Sequence, residues 1–267
     1  MRMRLSFSFS VLIIGYIFLY MPILTLVALS FNASPLVTVW GGFSLKWYKS
    51  LLANEELFAA VLTSLKIAVM SATLATTVGT LAAIVLVRFG AFRWRTLFQG
   101  MTAAPLIMPD VLTGLALLMM FVTLEQMIDW PSERGLITVT IAHTTVAMAY
   151  VCLVVQARLR DFDRRFEEAA LDLGAKPTTV FFTITLPIIF PSLLTGWLLA
   201  FSLSLDDLVI ASFLSGPGAT TLPMLIFSSI RIGVSPQINA LASVIVGLVA
   251  ISVAIAGIIM HKQQNRR

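Results

Sequence analysis

Long apolar runs that are almost free of charge recur six times along the chain. Each run reaches the roughly 20 residues that a helix needs to cross the hydrocarbon core of a bilayer. The runs lack the strict alternation of a transmembrane β-strand, and only helices and closed barrels satisfy their own backbone in lipid. We therefore predict an all-α, polytopic membrane protein with six transmembrane helices, at residues 9–31, 67–87, 96–124, 135–156, 180–205 and 238–260.

The composition excludes an ordinary soluble protein. The chain is 58% hydrophobic and 12% charged, whereas soluble domains carry about 25% charged residues. The only cysteine, Cys152, lies in a predicted span and is interpreted as a small buried apolar residue. Arg2 and Arg4 precede the first run as in a signal peptide, but that run exceeds the roughly 7–15 residues of a signal core. We interpret it as an uncleaved first span.

The distribution of basic residues predicts the orientation, because Lys and Arg concentrate in cytoplasmic loops. With the N-terminus inside, all but five of the 18 basic residues lie on the cytoplasmic side. Both termini are then cytoplasmic, and the number of spans is even. The five on the outer side are Lys46, Lys49, Lys66, Arg134 and Arg231.

A further uncharged stretch, 208–230, is interrupted by Gly216-Pro217-Gly218 and Pro223, residues that mark turns. We therefore extend the fifth helix to about Leu214 and assign 215–237 to an outer loop with a short helix from Leu222 to Ile230. The predicted organisation is a first span with its periplasmic loop (1–58), a transmembrane domain (59–260) and a cytoplasmic tail (261–267).

The inner loop 157–179 carries ten charged residues among its 23. Its apolar residues recur at helical spacing, Asp161 or Asp163 can cap the start, Gly174 suits a left-handed stop and Pro177 suits a new first turn. The pattern predicts a short amphipathic helix, a sharp turn and a second helix. By itself it fits either a helix docked on another protein or one lying on lipid head groups. The stripe consists of Phe162, Phe166, Ala169, Ala170 and Leu173.

One motif in this loop resembles a known family. Glu168-Ala169-Ala170, three residues, Gly174, nine residues and Ile184-Thr185-Leu186-Pro187 match the pattern E-A-A-x3-G-x9-I-x-L-P of the EAA loop in ABC importer permeases. The resemblance implies a coupling helix at about 161–176 that docks on a separate cytoplasmic ATPase. The residues implied to couple to the ATPase are Glu168, Ala169, Ala170, Gly174, Ile184, Leu186 and Pro187.

Further segments resemble the spermidine/putrescine branch of that family, at 36–40, 104–111, 203–210 and 215–218. The resemblance implies a polyamine importer of the bacterial inner membrane, with putrescine as the first expected solute and spermidine as the next. It also implies three partners: a second homologous permease, a cytoplasmic ABC ATPase dimer and a periplasmic polyamine-binding protein. Alternating access would be driven by the ATPase, and no cofactor is implied.

Three acidic residues lie inside predicted spans. An ionised Asp at a helix centre costs about 2.5–3.5 kcal/mol on insertion scales, so such residues usually face a cavity or a partner. Asp206 and Asp207 therefore leave three interpretations open. They line a pathway for a small cation, they form a structural ion pair or helix cap, or they lie at the membrane interface. Asp110, after Pro105 and Pro109, fits a broken transport helix or a cap after a kink. His143 is predicted to be buried and hydrogen-bonded.

The sequence also bears on catalysis. It contains no G-x-x-x-x-G-K-[ST] phosphate loop, so we predict a transport subunit without its own ATPase site. No metal cluster or catalytic array is recognised, and the net charge of +5 fits loops beside anionic lipids rather than nucleic acid. The alternatives are a permease for another small organic solute and a stand-alone secondary transporter, which would need internal inverted repeats that the sequence does not reveal.

Overall fold

The computed structural model describes residues 2–36, 39–233 and 236–264. Throughout these ranges the regular structure is helical, apart from one isolated bridge between Asn32 and Phe43. A π-helical turn, Phe181–Thr185, joins the helices Pro177–Val180 and Leu186–Asp206 in one continuous rod. The helices are α1 Arg2–Leu29, α2 Lys46–Leu52, α3 Glu55–Arg88, α4 Arg95–Ile107, α5 Asp110–Ile128, α6 Leu136–Asp161, α7 Arg165–Asp172, α8 Pro177–Val180, α9 Leu186–Asp206, α10 Val209–Leu214, α11 Leu222–Ile232 and α12 Pro236–Gln264.

Among the residues that the structure describes, five helical segments are long and apolar enough to cross a membrane. Helix α12 spans 29 residues and accounts for the sixth predicted span. Large apolar side chains remain exposed around these helices, because the expected surroundings are lipid rather than water. The five segments are Val11–Leu29, Glu55–Arg88, Asp110–Ile128, Leu136–Asp161 and Pro177–Asp206.

The structure corrects two predicted spans. The third run, 96–124, is two helices, because Pro109 disfavours helical backbone at the preceding Met108, whose ψ is 134°. The fifth helix does not continue to Leu214: it ends at Asp206, Asp207 is extended with a ψ of 124°, and α10 follows separately. The short helix predicted from Leu222 to Ile230 is present as α11, which ends at Ile232.

The chain divides into two compact units. One comprises residues up to Phe58 together with those from Ile226 onward, where α12 packs on α1 and α2. Its first loop is organised by the fully buried Asn32, whose side chain donates to Val39 O at 2.8 Å and accepts from Gly41 N at 2.8 Å. Of the predicted features in this unit, residues 37–38 and the basic tail residues Arg266 and Arg267 lie outside the described residues.

The other unit, Ala59–Leu225, is held together by small residues. Gly79 of α3 lies so close to α6 that an added Cβ would be 2.7 Å from Met148 O. Gly196 of α9 packs on Val151 of α6. Close backbone approach at small residues is how membrane helices associate where lipid gives no hydrophobic drive. An apolar core also joins α5, α6 and α10 around Phe121, Val139, Ile210 and Leu214.

Candidate functional site

Helix α7, here called the elbow helix, begins at Arg165 and ends at Asp172. Gly174 has a φ of +84°, and its N–H donates to Leu171 O at 2.9 Å. Pro177 then opens α8. The predicted helix, left-handed stop and proline start are confirmed, but the helix is shorter than 161–176. Of the two proposed caps it is Asp163 that accepts from Arg165 N, at 3.0 Å; Asp161 ends α6.

Part of the apolar stripe on the elbow helix is exposed. Phe166 is 61% exposed and Leu173 is 89% exposed. Phe162, the first residue of the predicted stripe, is instead buried and stacks on Phe166 with ring centroids 6.3 Å apart. The elbow helix therefore presents apolar surface outward from the unit to which it belongs.

The seven motif residues occupy two neighbouring elements. Glu168 and Ala169 are exposed on the elbow helix, Ala170 is half-buried, and Gly174 is exposed in the turn. Ile184 lies in the π-helical turn, and Leu186 and Pro187 begin α9. The elbow helix packs against that turn, so the two halves of the motif are brought together at the start of α9.

Three residues near the elbow helix were not singled out from the sequence. Glu167 Oε1 lies 2.9 Å from Arg88 Nη2 and accepts a hydrogen bond from Thr185 Oγ1 at 2.5 Å. The sequence offered only a weak signal, because Glu167 neighbours the motif glutamate and Arg88 is one of several loop arginines. Their pairing links residues 79 positions apart, which no local pattern reveals.

The second candidate region is a cavity of about 300 Å³ in the Ala59–Leu225 unit. It lies where α5 begins and where the backbone is broken between α9 and α10, with α6 forming another wall. All three predicted intramembrane acids line it. We call it the acidic cavity, and its polar lining consists of Asp110, His143, Tyr150, Ser204, Asp206 and Asp207.

The two adjacent acids have different surroundings. Asp207 Oδ2 accepts from Ala211 N at 2.8 Å and lies 3.1 Å from His143 Nε2, so this carboxylate caps α10 and pairs with α6. Its side chain is 13% exposed. Asp206 ends α9 and is exposed toward the cavity. The extended backbone at Asp207 separates its own capping carboxylate from the more exposed carboxylate of Asp206.

His143 is buried and hydrogen-bonded, as predicted. Its Nδ1 lies 2.7 Å from Ser204 Oγ, which accepts from Ser71 Oγ at 3.1 Å. The chain of contacts runs from α3 through α9 and α6 to the cap of α10. Such a satisfied polar network fixes helices in one arrangement, because breaking it would leave buried groups unpaired.

The cavity chemistry favours a cation. Asp206 lies at the C-terminal end of α9, where the helix dipole is also negative, and the phenol of Tyr150 adds a polar, aromatic wall. Asp110 begins α5, where the positive helix end partly offsets its charge. In the described residues no group of three or more His, Cys, Asp or Glu could hold a metal ion.

Comparison with known families decides the class of protein. Residues 75–267 match the model of the binding-protein-dependent transport system inner membrane component. The chain belongs to this permease family. The relatives of this permease include the putrescine transport system permease protein PotI of Escherichia coli K12, 57% identical over 96% of the chain and 92% of the relative. The spermidine/putrescine transport system permease protein PotC of the same organism is 40% identical over 87% and 86% of the two chains.

Solved structures support the same fold for the permease. A bacterial ABC transporter that imports the acidic polysaccharide alginate matches with a TM-score of 0.74 at 14% identity, over 97% of this chain and 96% of the other. An amino acid ABC transporter matches with a TM-score of 0.52 at 17% identity, over 78% and 92%. The predicted type I ABC importer permease fold and the family resemblance are confirmed, and the chain is an inner membrane transport component.

Proposed function

We propose that this chain is the membrane-spanning permease subunit of an ATP-driven polyamine importer, with putrescine as the main solute and spermidine as the next. The observation that carries the proposal is the 57% identity, across 96% of the chain, to a permease named for putrescine transport. The acidic cavity supports it, because a carboxylate offers charge-assisted hydrogen bonds to an ammonium group.

The elbow helix serves as the docking site for a cytoplasmic ABC ATPase dimer. Exposed Phe166 and Leu173 supply apolar contacts to the ATPase. Glu168 and Ala169 of the motif are also exposed and available to contact it. Both termini then lie in the cytoplasm, and the positions of the basic loops support this orientation. A second homologous permease and a periplasmic polyamine-binding protein complete the assembly.

In the acidic cavity Asp206 receives the ammonium group and Asp207 maintains the shape of the site. Asp207 already accepts from Ala211 N and contacts His143, whereas Asp206 faces open space in the cavity. Asp110 adds a weaker negative field from the start of α5. Transport follows when the ATPases close and the permease pair rocks between outward and inward access.

The chain contributes no ATP hydrolysis of its own, because its sequence has no phosphate loop. Hydrolysis and the energy for alternating access come from the separate ATPase. The chain's own contribution is the pathway and the surface on which the ATPase acts.

Reconstitution of the whole transporter tests the proposal. The permease pair, the ATPase and the cognate binding protein are placed in liposomes, and uptake of radiolabelled putrescine, cadaverine and spermidine is compared with and without ATP. We expect ATP-dependent uptake with putrescine preferred. Uptake of another organic solute with no polyamine uptake would contradict the polyamine assignment, and uptake by the lone chain would indicate a secondary transporter.

Labelling tests the orientation separately. In a Cys152→Ala background, Asp161→Cys at the end of α6 should be shielded from a membrane-impermeant maleimide in intact spheroplasts and react after lysis. Glu133→Cys, in the loop between α5 and α6, is the matched outer control and should react before lysis. Labelling of Asp161→Cys in intact spheroplasts would place the elbow helix outside and contradict the docking role.

A further inference from the structure

A single carboxylate oxygen joins the elbow helix to two neighbouring elements. Glu167 Oε1, on the elbow helix itself, contacts Arg88 Nη2 at 2.9 Å and Thr185 Oγ1 at 2.5 Å. Arg88 is the last residue of α3, and Thr185 ends the π-helical turn that leads into α9. Glu167 is therefore bonded at once to the ends of two membrane helices.

The contacts around this oxygen are partly shielded from water. The side chains of Arg88 and Glu167 are only 14% and 19% exposed, so their attraction is screened less than that of a surface pair. The Arg88 guanidinium also lies over the Phe162 ring, 5.3 Å from its centroid. Arg164 Nη2 adds a hydrogen bond to Val87 O at 3.0 Å, which fixes the elbow helix to α3 a second time.

The neighbouring glutamates face different surroundings. Adjacent residues on a helix point about 100° apart, and Glu168 is exposed while Glu167 is turned toward α3 and α9. The elbow helix thus has an outer side for a docked protein and an inner side bonded to its own unit. The family motif contains the outer glutamate, Glu168, and leaves the inner one undescribed.

A mechanical consequence follows from the continuity of α8, the π-helical turn and α9. This rod runs without interruption from Pro177 to Asp206, so the Thr185 contact is near one end and the acidic cavity is at the other. The covalent link between the elbow helix and this rod is the short turn at Gly174. Without Glu167 the elbow helix would lose its ion pair to α3 and its hydrogen bond to Thr185. It could then pivot on that turn with a weaker hold on α3, through Arg164, and on the start of α9.

We propose that Glu167 is a positioning residue that clamps the elbow helix to Arg88 of α3 and Thr185 at the root of α9, so that force applied to the elbow helix moves both membrane helices. The inference rests on the proposed docking role of the elbow helix and adds the residue through which that force passes. Glu167 touches no transported solute in this scheme. Its effect is on coupling between hydrolysis and transport.

The Glu167→Gln variant tests the clamp in the assembled transporter. The amide keeps the size of the side chain but loses the charge that pairs with Arg88. ATP hydrolysis and polyamine uptake are measured on the same liposomes, and the amount of co-purified ATPase is quantified. We expect wild-type ATPase retention and continued hydrolysis. The ratio of polyamine imported to ATP hydrolysed should fall about fivefold or more.

Two matched variants make the test specific. Asp161→Asn removes an exposed carboxylate from the end of α6 and should leave the ratio at the wild-type value. The charge swap, Arg88→Glu with Glu167→Arg, restores the opposite charges in reversed positions and should recover part of the ratio lost in either single variant. Recovery by the swap is not expected of a side chain that merely fills space.

The results against the clamp are distinct from those against the proposed function. A wild-type ratio in Glu167→Gln would overturn the clamp. So would a proportional fall of hydrolysis and uptake that tracks a loss of co-purified ATPase, or a swap no better than the single variants. Failure of the wild-type assembly to retain an ATPase or to import polyamine would instead overturn the proposed function.

Discussion

The elbow helix and the acidic cavity are both built where helices stop, but the breaks are stabilised by different means. At the elbow helix the break is local: Gly174 adopts a φ of +84° and Pro177 restarts the chain, with water available to the exposed groups. At the cavity the chain breaks inside an apolar segment, where the Asp207 carboxylate accepts from Ala211 N of the next helix and is itself held by His143 of α6. A break in lipid needs tertiary partners because no solvent can satisfy the backbone.

The largest effect is expected at the local break. Gly174→Val forces a β-branched residue into left-handed backbone, at a cost of about 1–3 kcal/mol, and should abolish uptake while membrane insertion is retained. Gly174→Asn is the matched control, because Asn tolerates this conformation, and it should retain much of the uptake. Unchanged uptake in Gly174→Val would count heavily against docking through the elbow helix.

The next effect is expected at the cavity. Asp206→Asn removes the proposed partner of the ammonium group, and a hydrogen bond to a charged group contributes about 1.5–3 kcal/mol. The apparent KM for polyamine uptake should therefore rise about tenfold or more, with the assembly still purified intact. Normal uptake in both Asp206→Asn and Asp207→Asn would mean that neither acid matters to the pathway.

A smaller effect, on stability rather than transport, is expected at Asp207, the acid that pairs with His143. His143→Ala removes one buried partner from Asp207 and one from Ser204, and should lower the unfolding free energy by about 1–3 kcal/mol. Asp207→Ala should do the same because it also uncaps α10, whereas Asp207→Asn should cost less since Asn caps helices well. Thermal unfolding in detergent measures these differences, and additive losses in the double variant His143→Ala with Asp207→Ala would contradict the pairing.

The smallest effect is expected for Asp110→Asn. Its charge lies at the positive end of α5, which offsets it by about 0.3–1 kcal/mol. The apparent KM for polyamine uptake should therefore rise only about two- to fivefold. Uptake at a series of putrescine concentrations gives this value. An effect as large as that of Asp206→Asn would show that the two acids contribute equally to the cavity.

The sequence by itself determined the membrane class, most of the spans and the shape of the elbow. Apolar runs longer than about 20 residues leave few alternatives to spanning helices, and Gly174 with Pro177 specifies a turn through its own backbone preferences. The motif from Glu168 to Pro187 also indicated the family. These signals depend on residues close together in the sequence, so the sequence is enough to predict them.

Only the tertiary structure decided which partners the charged residues contact. Asp206 and Asp207 are equivalent as sequence, and Glu167 and Glu168 are nearly so. Their surroundings differ because His143 lies 3.1 Å from Asp207 and Arg88 lies 2.9 Å from Glu167. These contacts join residues 64 and 79 positions apart. The energy of a charge depends on the partner and the solvent that the fold places beside it, and neither is encoded in the neighbouring residues.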